Sequence, residues 1–274
     1  MGDEVGNEFT WKPLIAAGVL AALWVLEGMA PMFLHRQGRL SHAMNNVGLG
    51  VLNALVTSLV FAGVLLAVSE AACNGGFGVL HWLGAPTWAT WVLAIVLLDG
   101  WMYLWHRLNH AVGLLWRFHS VHHSDEDVDA TSAVRFHTGE IVLSSLARLA
   151  VVPVLGITIG QLLVYESILL PVIMFHHSNV RVPRSIDRVV RLVIVTPWMH
   201  WVHHSRYQPE TDSNFASILS VWDRIFGTYR LRSDPRALNL GLDGYDRNRS
   251  STLWGMLVSP FRRLPSAGRR SRKD

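Results

Sequence analysis

Long apolar runs broken by short polar connections dominate the chain. The stretch "WKPLIAAGVLAALWVLEGMAPMFL" (residues 11–34) is long enough to cross a bilayer, which takes about 20 mostly apolar residues. Further spans are predicted at residues 45–70 and 87–105, the latter carrying Asp99 near its end. Residues 141–175 read as two short helices turning at Gly156 to Gly160, a hairpin that either crosses fully or re-enters. The pattern predicts an all-α integral membrane protein of four to five membrane helices, the hairpin included. It divides into N-terminal transmembrane helices (1–98), a helical histidine-rich region (99–232) and a C-terminal basic tail (233–274).

Composition agrees. Of the 274 residues, 50% are hydrophobic and only 16% charged, against about 25% charged in a soluble domain. A cleaved signal peptide would need a basic start, but the first ten residues hold Asp3, Glu4 and Glu8 and no Lys or Arg. Net charge is +4, and every basic residue except Lys12 and Lys273 is arginine. The arginines follow the first span (Arg36, Arg39), the third (Arg107, Arg117, Arg135) and the hairpin (Arg181, Arg184, Arg188, Arg191), while residues 71–86 have none. The positive-inside rule therefore places the N-terminus outside and the histidine-rich region in the cytoplasm. The arginine-rich, lysine-poor usage suggests a high-GC bacterium and hence an inner membrane. Excess basic charge reports topology here, because no nucleic-acid-binding pattern accompanies it. Cys73 is the only cysteine, which excludes an internal disulfide and any multi-thiolate metal site.

The candidate chemistry lies in the histidines. Of 14, only His35, His42 and His81 stand alone and read as structural. The rest are His106 and His110 in "HRLNH"; His119, His122 and His123 in "HSVHH"; His137 in "RFHTGE"; His176 and His177 in "FHHSN"; and His200, His203 and His204 in "HWVHH". On a helix, positions i, i+3 and i+4 share a face. Two imidazoles one turn apart can grip one ion, and the third can reach a second. So many neutral nitrogen donors suit two transition-metal ions with about four to six ligands each. Structural use alone would leave many ring N–H groups near the membrane in need of partners.

Together these boxes resemble the fatty acid hydroxylase/sterol desaturase superfamily. The match runs through "DGWMYLWHRLNH", "LLWRFHSVHHS", "RFHTGE", "FHHSN", "TPWMHWVHHS" and "DSNFASILSVWDRIFGTYR", from Asp99 to Arg230. The resemblance implies a membrane-bound di-iron oxygenase ligated by His106, His110, His119, His122, His123, His177, His200, His203 and His204, with His137 as a tenth. On that pattern His177 fits better than His176. Thr138 replaces the family's proline after His137, and Asn214, Phe215 and Ala216 stand where the family has N-Y-G. Asn214 and Asp99 are the expected supporting polar residues of the catalytic site. Asp125, Glu126, Asp127, Asp129, Glu140 and Asp212 are further carboxylates that could orient imidazoles, and Glu166 is conspicuous in an apolar run.

The resemblance further implies two iron ions, O2 as co-substrate and hydroxylation, or desaturation, of a lipid dissolved in the bilayer. No flavin or nicotinamide fingerprint is present, so an external donor is expected: a ferredoxin or a cytochrome b5-like protein, with its reductase. A membrane metal transporter or metal store is the alternative. A transporter would hold its ligands near the bilayer midplane, whereas these clusters sit at span ends.

Overall fold

The computed structural model describes residues 2–34 and 38–262, with side chains undescribed for residues 2–12 and Arg249. His35, Arg36 and most of the basic tail (263–274) lie outside the described residues. What is described is helical, with isolated bridges in place of strands. Among the described residues, four helical stretches are long and apolar enough to cross a membrane: Arg39–Trp82, Thr87–Ala111, Thr138–Leu155 and Ile159–His177. The protein is an all-α integral membrane protein. The first predicted span (11–34) falls largely on α1 (Gly2–Met29), whose side chains are described from Pro13 onward.

The second span starts earlier than its hydropathy suggests. Helix α2 (Arg39–Val56) runs through a π-turn at Thr57–Phe61 into α3 (Ala62–Asn74). These 36 residues extend about 54 Å, well beyond a hydrocarbon core of about 30 Å. The polar first turns of α2 bury Ala43 and Asn46 and pack on a 3-10 segment, Ala130–Val134. After the short α4 (Val79–Trp82) comes α5 (Thr87–Ala111), with Pro86 fixing the extended residue before it. Helix α6 (Gly113–His123) follows almost without a loop.

The hairpin is formed by α7 (Thr138–Leu155) and α8 (Ile159–His177). Gly156 adopts φ 73°, the left-handed conformation that ends a helix, and a Thr158/Gln161 capping box starts the next. The turn sits against the outer ends of α3 and α4: the Ser69 hydroxyl donates to the Ile157 carbonyl at 2.9 Å. The arms have 18 and 19 residues, about 27 to 29 Å each. A core of Leu80, Ala94, Leu98, Val152, Ile157, Leu162, Tyr165 and Leu169 locks it to α5. Helices α9 (Arg184–Val190) and α10 (Pro197–His203) complete the end opposite the turn, where α8 meets α10.

Gly78 is a tight point. Its φ is 112°, and a Cβ there would lie 2.4 Å from the Gly156 nitrogen. Gly78→Ala should lower the melting temperature in detergent by several degrees, combining backbone strain of about 1–3 kcal/mol with an overlap the turn cannot yield to. Gly18→Ala, in α1 with nothing within 4 Å of the new methyl, should leave it unchanged or slightly raised. Equal effects would show that the turn does not press on the α3–α4 connection.

Candidate metal centre

Four helix ends deliver the histidines to one place, and they sort into two groups. His106 and His110 at the end of α5, His119 and His123 of α6, and His203 of α10 form one, with donor nitrogens within 4.8 Å of one another. His122 of α6, His177 at the end of α8, and His200 and His204 of α10 form the other, equally tight. Each H-x-x-H-H box is shared. Positions i and i+4 enter one group, and position i+3 turns into the other.

The tautomers explain what the groups can hold. In the first, outer nitrogens are committed to oxygen acceptors. His106 Nδ1 donates to the Phe215 carbonyl at 2.9 Å and His203 Nδ1 to the Ser213 carbonyl at 2.7 Å. His119 Nδ1 donates to Glu140 Oε1 at 2.9 Å and His110 Nδ1 pairs with Asp212 Oδ1 at 3.3 Å. A neutral imidazole has one N–H, so each of these four rings turns a bare lone pair inward. The Nε2 atoms of His106, His110 and His203 are buried without a partner. In the second group, His177 Nδ1 donates to Ile173 at 2.8 Å, again leaving Nε2 as lone pair. Its Nε2 lies 3.1 Å from that of His122 and 2.9 Å from that of His200, which is 3.1 Å from that of His204. Donors about 2.0–2.1 Å from one tetrahedral ion would stand about 3.3 Å apart. Buried lone pairs facing one another repel unless a cation lies between them. The donor set therefore fits one transition-metal ion per group.

The centre is dry. Burial pushes His122, His123, His200, His203 and His204 well below the usual imidazole range, and crowding by neighbouring rings adds to the shift. Phe136 stacks on His122 at 4.5 Å, and Phe215 packs edge-on against His106, His110 and His203.

Several expected site residues take other places. His137 lies outside both groups. Its Nδ1 accepts from the Gly139 N–H as the cap of α7, and its Nε2 donates to Leu257 at 3.0 Å, so neither nitrogen is left for an ion. Asp99 reaches no imidazole. Its carboxylate accepts from the N–H groups of Ile218 and Leu219, the Trp222 indole and the Tyr165 hydroxyl, which ties the 214–222 loop to α5. Asn214, at φ 53°, bonds the backbone of Met199 and Arg230. It lies between Ser213 and Phe215, the two residues whose carbonyls hold His203 and His106, and so positions ligands without touching the centre. His176 is buried 4.1 Å, ring to ring, from His200 but belongs to neither group.

Among the described residues, Glu140 and Asp212 are the carboxylates that reach imidazoles of the two groups. Asp125 and Asp129 instead hold His42, at 2.9 and 3.3 Å, so His42 is not isolated. Burial opposes the Asp125 charge, but the facing His42 and Arg135 outweigh it and hold its carboxyl well below the usual range. Glu27 accepts from the N–H groups of Ala130 and Asn179 and from Arg39, fastening the ends of the His122 and His177 segments to α1. A carboxylate within an apolar run was a usable signal for Glu27, as it was for Asp99 and Glu166.

A cavity of about 340 Å³ opens directly onto the centre. His106, His119, His122, His177 and His200 form one end, and Met102, Leu169, Leu170 and Ile173 form apolar wall.

Fold and site together define a membrane protein with a polyhistidine site, fit to hold metal, at the ends of its helices and facing an apolar chamber. Residues 91–228 match the fatty acid hydroxylase family, and the chain belongs to it. It is 30% identical to human alkylglycerol monooxygenase over 222 residues, covering 78% of this chain and 45% of that protein. It is 24% identical to the ornithine lipid hydroxylase OlsE of Rhizobium tropici, covering 85% and 71% of the two chains. Human cholesterol 25-hydroxylase is 28% identical, over 53% of this chain and 52% of its own. The chain thus spans less than half of the human alkylglycerol monooxygenase. No solved structure matches it.

Metal content tests the partition. His203→Ala and His200→Ala should each lower bound metal from two ions per chain toward one, while His137→Gln keeps both. Glu140→Gln should weaken retention about 10- to 100-fold, as loss of an orienting carboxylate does. An unchanged metal count in both His203→Ala and His200→Ala would sink the two-group reading.

Acid tests the neutral state of the rings. The unfolded chain takes up protons on these histidines near pH 6.5, and the folded chain refuses them. The melting temperature of metal-stripped protein should therefore fall as pH drops through about 6.5. A profile flat down to pH 5 would mean that the rings are not held neutral.

Proposed function

We propose that the protein is a membrane-bound di-iron, O2-dependent monooxygenase that hydroxylates an unactivated C–H bond of a lipid. One iron is held by His106, His110, His119, His123 and His203 and the other by His122, His177, His200 and His204. The observation that carries this reading is the cavity: residues from both histidine groups form its end, and residues of membrane helices form its wall. A lipid already dissolved in the bilayer can enter it without crossing water.

Bound irons would supply O2 activation and the oxidising equivalents. The chain's own residues do the rest. Glu140, Asp212 and the carbonyls of Ser213, Phe215 and Ile173 fix the ring orientations. Phe136, Phe215 and Trp116 exclude water around the imidazoles. Met102, Leu169 and Ile173 confine the chain so that one C–H stays in range, the positioning that turns an encounter into an oriented reaction. C–H, O2, two electrons and two protons give C–OH and water. The electrons come from a separate donor, a ferredoxin or a cytochrome b5-like protein with its reductase, approaching a cytoplasmic face of a bacterial inner membrane.

Three relatives whose names print lipid hydroxylation or monooxygenation favour hydroxylation over desaturation. Protein loaded with iron and given a chemical reductant, isotopically labelled O2 and a bacterial lipid extract should yield a lipid heavier by one labelled oxygen. His203→Ala should yield none. Two tightly held irons with no lipid oxidised would defeat the proposal. Exchangeable metal flux across vesicles would favour a transporter.

A further inference from the structure

We propose that α9 and the short helix Val221–Ile225 lie in the membrane rather than in water, as an in-plane element of the leaflet at the histidine end, with Arg184 and Arg188 on the headgroups of anionic phospholipids.

Depth carries the first half of this. Helix α5 begins at Thr87, and a hydrocarbon core takes about 20 residues of helix, which reaches His106. Gly100 and Tyr103 are thus inside it. The Trp222 ring lies 3.2 Å from where a Cβ on Gly100 would stand. Phe226 stacks on Tyr103 with ring centres 5.0 Å apart. Residues 222–226 therefore flank α5 at bilayer depth. Placing them in water would leave Thr87–Asp99, about 20 Å of helix, to cross a core of about 30 Å.

The end of α9 is tied to the same level. The Val195 N–H donates to the Ile218 carbonyl at 2.9 Å, and the Ser220 N–H donates to the Val193 carbonyl at 3.0 Å. Asp99 holds the N–H groups of Ile218 and Leu219 from midway along α5. Irregular backbone at this depth has no water to bond, which gives a carboxylate inside a span its use.

The outer surface fits a leaflet. Asp187 is the buried side of α9. On the exposed arc, Ile186 and Val189 lie to one side, and Arg184 and Arg188, one turn apart, to the other. Leu192, Val193 and Ile225 extend the apolar side, each more than half exposed. Apolar and basic sides divided in this way mark a helix that lies in an interface. Arg191 pairs with Asp187, whereas among the described residues no ion pair holds Arg184 or Arg188. Their stems can lie along the acyl boundary while the guanidinium groups reach out and take a phosphate through two N–H donors. A zwitterionic headgroup brings its own ammonium; an anionic one leaves its charge for the arginine. An acidic water-borne protein would have to reach the level of Gly100 to cover Ile225.

Two measurements test this, and neither needs metal or turnover, so the outcome is separate from the oxygenase reading. Cys73 is the only cysteine, so full-length protein in a Cys73→Ser background takes one nitroxide label at a time. In lipid nanodiscs, labels at Val189→Cys and Ile225→Cys should collide with O2 more than with a water-soluble nickel chelate. Nickel-dominated collision at either position overturns the immersion and leaves the patch to a water-borne protein. Spin-labelled phosphatidylglycerol and phosphatidylcholine are then compared for association with the protein in reconstituted membranes. Wild type should prefer phosphatidylglycerol, and Arg184→Gln combined with Arg188→Gln should cut that preference about five-fold, roughly the worth of one arginine at an anionic surface. An unchanged preference in the double variant overturns the headgroup contact.

Discussion

Nine imidazoles with ring nitrogens turned toward one another are the constraint around which the rest is arranged. In five of them an outer acceptor fixes the tautomer and leaves a lone pair facing inward, and lone pairs that face at this distance repel unless a proton or a cation lies between them. The scaffold therefore has to hold them together against that repulsion. It does so with acceptors on the outer nitrogens: two carboxylates and the carbonyls of Phe215, Ser213 and Ile173. Those acceptors are fixed in turn. Asp99 and Asp223 bind the backbone of the 215–219 loop, and Glu27 binds the backbone beyond His177. Buried carboxylates that touch no imidazole still set where the imidazoles point.

The two groups are not built alike. Four of the five rings in the first group have an oxygen acceptor on Nδ1, against one of four in the second, where His122, His200 and His204 have buried Nδ1 atoms without partners. Acceptors fix ring orientation and raise ligand basicity. The ring orientations of the first group are thus set largely by hydrogen bonds, and those of the second largely by packing. Among the residues around the second, His176 stands beside His200 with its own Nδ1 unpartnered.

Much of this was legible in the chain because helical geometry makes it local. The spacing of His119, His122 and His123, and its repetition at His200, His203 and His204, already implies one turn serving two neighbours, and the structure arranges them so. The hairpin and the single-ended clustering follow from hydropathy and from where the boxes fall along the spans. What was not legible depends on long-range partners. His137 sits in a box, yet a helix start and the Leu257 carbonyl, 120 residues away, occupy its nitrogens. His42 looked solitary because its carboxylates are 83 and 87 residues distant. Asp99 and Asn214 were expected at the chemistry, and the structure gives them backbone to hold. Spacing shows which residues share a turn; it carries no information on which acceptor closes the second nitrogen.

The span boundaries show the same limit in another form. Hydropathy starts the second span at residue 45, because Arg39, Ser41 and His42 are polar. The helix begins earlier all the same, since its polar residues find partners in the protein: Asn46 donates to Thr131 and accepts from Arg135, His42 pairs with Asp125, and Arg39 pairs with Glu27. The helix therefore continues past the bilayer as the wall of the segment between the first histidine box and α7. That extension couples the bundle to the metal centre. The same element that packs on the hairpin in the membrane holds the polar network under His122 and His123. The chamber thus has walls of membrane helix, and its histidine end is fixed by the polar continuation of those helices.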